Sequence, residues 1–234
     1  MYFPIFHWSV ALITAFVSVL GARAEAADKA PLSTRFEPQI IAFETRDKGA
    51  PPPQGAILLT GASNIVRWKS FAEDLPGYQV INRGFGGSHL ADVAHYADRV
   101  IIPYRPKMVI VQGGGNDLNS GKTPEEVLRD AQTLVSKIRT ALPETRIAFV
   151  SISPSVARWK QREKQAELNK LLSDYLSHGD ELDFIDVNEM FLGPDGKPRA
   201  ELFVADGLHL SEAGFKARAK LILPHLPPRD TPKE

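Results

Sequence analysis

Residues 108–117 read Met108-Val109-Ile110-Val111-Gln112-Gly113-Gly114-Gly115-Asn116-Asp117. Four apolar residues run through Gln112 straight into three glycines. The run is too short for a helix and has no polar face, so it predicts a strand buried on both sides. Four other runs share its character: 56–60 (AILLT), 78–82 (YQVIN), 146–152 (RIAFVSI) and 182–187 (LDFIDV). Helical patterns separate them. A short one covers 64–72. Another, over 88–100, carries Leu90, Val93, Ala94 and Ala97 at helical spacing. The next, over 123–142, opens with Thr123 as N-cap, Pro124 at the first position and Glu125 and Glu126 in the first turn. A long, charged one spans 157–177, with Leu168, Leu171, Leu172, Tyr175 and Leu176 on one stripe, and the last covers 211–223. Five strands alternating with helices predict an α/β fold of three αβα layers, a five-stranded parallel sheet with helices on both faces. Ligands of such sheets bind beyond the carboxyl ends of the strands, so the segments after strands one, two and three are where chemistry belongs.

Composition agrees with one globular domain. The chain has 234 residues, 43% hydrophobic and 24% charged, a size at which an α/β fold commonly forms a single unit. It contains no cysteine, which excludes disulfides, Cys-ligated zinc, iron–sulfur clusters and a cysteine nucleophile. Its 28 basic and 28 acidic residues cancel, leaving no electrostatic footprint for nucleic acid.

The N-terminal segment is read separately. Trp8 to Leu20 is a 13-residue apolar run followed by Ala22-Arg23-Ala24 and Ala24-Glu25-Ala26, two small-x-small patterns. Residues 1–26 therefore read as a signal peptide cleaved after Ala24 or Ala26, which implies a secreted or periplasmic protein. The n-region lacks Lys and Arg, and an uncleaved membrane anchor is the competing reading. Residues 27–55, with Pro31, Pro38 and Pro51-Pro52-Pro53, predict an extended arm packed near the domain. The domain proper is expected over 56–226 and a tail over 227–234.

Four motifs fall at the strand ends or near the C-terminus. Ser63 follows strand one at the mouth of a helix, where it can act as a nucleophile beside free amides or serve only as an N-cap. Gly84-Phe85-Gly86-Gly87-Ser88-His89 follows strand two and allows close backbone approach to a ligand; a plain βα turn explains it as well. It is no dinucleotide fingerprint, because His89 stands where the third glycine belongs. Asn116, after strand three, can aim its amide into a site or cap an Asx turn. Asp206-Gly207-Leu208-His209 allows a carboxylate to orient an imidazole that serves as general base; a surface pair or helix cap reads as easily. His89, His95, His178 and His225 are read as lacking such a partner, as surface or packing residues. No HExxH or clustered His and Asp residues argue for a metal. Ile65 stands where the nucleophile elbow of α/β hydrolases needs its second glycine, which argues against that fold.

Taken in order, these motifs resemble the SGNH hydrolase superfamily, also called GDSL esterases, over about residues 56–223. Ser63 matches the family's block I serine, Gly87 its block II glycine, Asn116 its block III asparagine, and Asp206 and His209 its block V DxxH. The run 80–118 looks like bacterial members related to platelet-activating-factor acetylhydrolase. The resemblance implies a flavodoxin-like sheet and a serine esterase or acylhydrolase that needs no cofactor. It implies a catalytic triad of Ser63, His209 and Asp206, with an oxyanion hole from the Ser63 and Gly87 amides and the Asn116 side chain. Substrates would be small-molecule, glycan or lipid esters with a small acyl group. An acyltransferase of the same fold and a non-catalytic binding module are the alternatives. Block I usually reads Gly-Asp-Ser and here reads Gly-Ala-Ser, which marks a divergent branch and leaves the substrate open.

Overall fold

The computed structural model describes residues 34–229. The signal segment and the last residues of the tail lie outside them. The sheet has five parallel strands: β1 (Ile57–Gly61), β2 (Val80–Gly84), β3 (Met108–Gln112), β4 (Arg146–Val150) and β5 (Leu182–Ile185). They run in the order β2-β1-β3-β4-β5, the flavodoxin-like order. The chain moves from β1 out to β2, then returns to place β3 on the other side of β1. Strand register follows directly, with Gly61 level with both Gly84 and Gln112.

Alternation along each strand divides the core. Leu58, Val109, Val111, Ile147 and Phe149 face one side of the sheet, and Ile57, Leu59, Ile110, Ala148 and Val150 the other. The first face is covered by α4 (Leu90–Val100), α6 (Pro124–Ala141) and α7 (Arg162–Leu176). The second is covered by α8 (Glu212–Ile222) together with Ile65, Trp68 and Leu75 from the β1–β2 connection. The capping box expected at Thr123 is present: Glu126 N donates to Thr123 Oγ1 and Thr123 N to Glu126 Oε2. The expected helix over 64–72 is instead two single turns, α2 (Ser63–Val66) and α3 (Phe71–Asp74), with Trp68 and Ser70 both donating to the Asp74 carboxylate between them. A further single turn, α5 (Gly115–Asn119), follows β3.

Residues 37–49 correct the expectation of an extended arm. They form α1 (Glu37–Gly49), a 13-residue helix. Pro38 falls in its first turn, where proline is tolerated because the N–H lost there has no intrahelical acceptor, and the three prolines come only after the helix has ended. Its register is set by burial of Ile40 and by ion pairs to two arginines: Glu37 and Glu44 each meet Arg99 of α4 at 2.7 Å, and Asp47 meets Arg83 of β2. Arg83 of β2, only 3% exposed, donates from Nη2 to both oxygens of Asp47 at 2.8 and 2.7 Å. Its guanidinium lies between the rings of Phe43 and Tyr104, 5.0 and 4.5 Å from their centroids. Tyr104 also donates its hydroxyl to Asp47.

Removing one partner of such a pair strands a buried charge, which costs about 3–5 kcal/mol. Asp47→Ala is therefore expected to lower the melting temperature by roughly 10 °C, and Asp47→Asn, which keeps an acceptor, by less. A shift of under about 2 °C in thermal unfolding of Asp47→Ala would show that α1 docks without the pair.

Candidate active site

Ser63 is placed by the end of β1. Gly61 has φ +125°, and a Cβ there would overlap the Gln112 carbonyl oxygen, so only glycine lets β1 end this close to β3. Ala62 N donates to that same carbonyl at 3.1 Å, and the chain then turns into α2 with Ser63 as its first residue. An amide at that position has no acceptor within its own helix.

The loop carrying Asp206 and His209 is a tight turn closed by Gly207 N to Val204 O at 2.9 Å and Val204 N to His209 O at 2.8 Å. Asn64 Oδ1 accepts from Leu210 N at 3.1 Å and ties this loop to α2. His209 Nε2 thereby lies 2.9 Å from Ser63 Oγ, and His209 Nδ1 lies 2.6 Å from Asp206 Oδ2. The other Asp206 oxygen accepts from the Leu208 and His209 amides at 2.8 and 2.9 Å. The imidazole contact first, and then these two amides, hold the Asp206 carboxyl well below the usual carboxylate range. A carboxylate only accepts, so Nδ1 carries the proton and Nε2 presents a lone pair to the serine hydroxyl.

Asn116 enters the same cleft from the end of β3. Its Nδ2 donates to the Ser88 carbonyl at 3.2 Å, and its Oδ1 accepts from Arg158 Nη2 at 3.0 Å. A guanidinium has no acceptor, so the atom facing it is the oxygen, and the amide orientation is fixed by chemistry. The neighbouring Asp117 is fully buried and accepts from the Leu90 amide at 3.2 Å and from Lys122 Nζ at 3.4 Å, anchoring the Asn116 turn to the start of α4. Its burial raises the carboxyl pKa. Gly87 is exposed in the turn after β2 with φ +81°, beside Ser88 and outside the residues that line the cleft; its carbonyl accepts from Arg35 at 2.7 Å.

The sequence profile of the GDSL-like Lipase/Acylhydrolase family matches residues 52–217. The chain belongs to this family. It is 28% identical over 138 residues to platelet-activating factor acetylhydrolase IB subunit alpha1 of Homo sapiens, a match covering 58% of each chain. It is 29% identical over 188 residues to the alpha2 subunit of Rattus norvegicus, over 76% of this chain and 80% of that one. The chain thus spans little more than half the length of the alpha1 relatives it matches. Among solved structures it superposes on a GDSL-like lipase from Bacteroides thetaiotaomicron with a TM-score of 0.68 at 14% identity, over 80% of this chain and 96% of that one. An acetyl-xylooligosaccharide esterase from Geobacillus Stearmophilus gives a TM-score of 0.60 at 15% identity, over 74% and 94%. At these identities the structures show a shared fold.

The GDSL-like site here rests on residues that motif reading passes over. Arg218 of α8 is buried beneath the Ser63 turn, donates to Gln112 Oε1 at 2.6 Å and to the Asn64 carbonyl at 3.3 Å, and stacks over Trp68 at 4.5 Å. Burial pulls its guanidinium down to about 9, still a cation at neutral pH. The signal was in the sequence: Phe215, Arg218, Ala219 and Ile222 share one helical face, and three of the four are apolar. Trp68 is core and Arg67 is exposed, whereas Arg158 lines the cleft and Trp159 an apolar groove beside it. His225 does have a carboxylate partner, Asp183 at 2.7 Å, but neither residue lines the cleft. Among the described residues no cluster of three or more His, Asp or Glu side chains is arranged to hold a metal ion.

Proposed function

We propose that the protein is a serine esterase that cleaves carboxylic esters carrying a small acyl group, through an acyl-enzyme intermediate. The observation that carries this reading is the unbroken hydrogen-bonded chain from Ser63 Oγ through His209 to Asp206, in a cleft that also holds the Asn116 amide. Family membership supports hydrolysis of acyl groups.

In this mechanism Ser63 Oγ attacks the ester carbonyl as His209 Nε2 takes its proton, and Asp206 stabilises the imidazolium. The Ser63 amide and Asn116 Nδ2, both in the cleft lining, donate to the tetrahedral oxyanion, and the family resemblance adds the Gly87 amide from the neighbouring turn. Collapse expels the alcohol, which takes the proton from His209. Water, activated by the same imidazole, then attacks the acyl-enzyme, and Ser63 leaves with its proton restored. The platelet-activating factor acetylhydrolase relatives and the acetyl-xylooligosaccharide esterase are named for acetyl groups, which supports a small acyl group in this cleft.

Ser63→Ala is expected to fold normally and to lose hydrolysis of p-nitrophenyl acetate by several orders of magnitude. Retention of more than about a tenth of the wild-type rate would remove Ser63 from the nucleophile role.

The pH profile follows from the pair. His209 must be neutral to act as base, so kcat/KM falls as pH is lowered. Asp206, with its pKa depressed, stays ionised through that range and adds no second proton to the acid limb. A limb of slope one is expected in log kcat/KM against pH above about pH 3; a slope of two there would mean that the carboxyl titrates as well.

Asn116→Ala is expected to lower kcat by roughly 10²–10³ with KM nearly unchanged, because the donor meets charge that exists only in the transition state. Asn116→Asp should be at least as damaging, since it sets an acceptor-only group against an oxyanion. If Asn116 merely caps the turn, aspartate substitutes well, and near-normal turnover of the folded variant would show it.

A further inference from the structure

One wall of the cleft is built from the loop after β4 and the start of α7. Arg158 stands there half-buried, and its desolvation is not offset by any carboxylate. Among the described residues it makes no ion pair, burial alone depresses its pKa, and none of the residues lining the cleft is acidic. Only Nη2 is used, on Asn116; Nη1 and Nε have no acceptor among the described residues. Gln165, 3% exposed, lines the same cleft, and its buried Oε1 has no hydrogen-bond partner among the described residues. Ser153 Oγ, on the same wall, is likewise buried and unpartnered. A buried oxygen left without a partner is unfavourable, and a half-desolvated guanidinium is costly as well. Three such groups on one wall of a reactive cleft are explained together if a ligand completes them.

We propose that Arg158, Gln165 and Ser153 form a substrate subsite for an anionic oxygen group, a carboxylate or a phosphate, carried by the ester. Arg158 supplies the positive charge and free N–H groups. Gln165 Oε1 and the Ser153 hydroxyl take a neighbouring hydroxyl or N–H of the same substrate. Because Arg158 also holds Asn116, an anion seated here sits next to the amide proposed for the oxyanion. The subsite rests on the esterase reading for its place in the reaction, but its binding chemistry is measurable without turnover.

Two matched pairs of esters test it. One pair carries the charge on the acyl side: p-nitrophenyl hemisuccinate and its neutral methyl ester. The other carries it on the alcohol: acetylated glycerol phosphate and acetylated glycerol. A charge-assisted hydrogen bond predicts that kcat/KM for the anionic member exceeds that of the neutral one by about ten- to a hundredfold in at least one pair. The favoured pair identifies whether the anion is an acyl-borne carboxylate or an alcohol-borne phosphate. Arg158→Gln should bring the ratio near one, and its effect on the neutral esters separately reports the contact with Asn116. Gln165→Glu, which sets a carboxylate beside the guanidinium, should also reduce the ratio. Thermal unfolding of both variants confirms the fold.

Calorimetric titration of the wild type and Arg158→Gln with succinate and with glycerol phosphate gives a readout free of catalysis. Binding of either anion that is lost in the variant supports the subsite even if no ester is cleaved. Equal kcat/KM within both pairs, or discrimination that survives Arg158→Gln, overturns the subsite while leaving Ser63-dependent hydrolysis of neutral esters untouched. Absence of binding by both anions, with no ester cleaved, overturns the subsite and the esterase reading together.

Discussion

Gly61 pressed against the Gln112 carbonyl is the contact on which the site depends. In a parallel sheet covered on both faces, strand ends are the open places, and the reversal of strand order between β1 and β3 leaves a crevice there. The steric limit at Gly61 brings the two strand ends together. Ser63 then emerges from one and Asn116 from the other, and their separation is set by strand register rather than by flexible side chains. The Asp206–His209 turn is fastened to the same place by Asn64. Three elements far apart in the chain thus converge on one cleft through backbone and amide contacts.

The fold was largely legible because the strands are buried on both faces. Val109, Ile110 and Val111 leave no polar position that could be read as helix, and each apolar run marks a strand within a residue or two. The α1 helix escaped for a physical reason. Only Ile40 of its 13 residues is buried, so it has almost no apolar stripe, and what holds it is a set of ion pairs to residues far along the chain, Asp47 to Arg83 and Glu37 and Glu44 to Arg99. Proline density around it then pointed to extended chain, although the prolines lie in the first turn and beyond the end.

The site divides along similar lines. Ser63, Asn116, Asp206 and His209 were visible because their spacing from strand ends and from one another is local. Their supports were not. Arg158 and Gln165 come from a connection where nothing in the sequence separates a cleft wall from a solvated surface. Arg218 left a trace, a charge on an apolar helical face, whose meaning appears only when Gln112 and Asn64 are brought to it. The alanine at 62, where the family resemblance leads one to expect aspartate, sits in extended backbone and contributes its amide alone to the Gln112 contact.

The clamp between α1 and β2 also decides where this protein can be cut. Read from strands and motifs, the unit begins at residue 56. A chain trimmed there would keep every residue of the cleft yet lose Asp47, leaving the Arg83 charge in the interior with neither its counterion nor the Phe43 ring. It would also uncover the apolar surface that Ile40 and Phe36 occupy. The smallest autonomous folding unit therefore reaches back to about residue 35, and linkers, fusions and protease sites belong upstream of it.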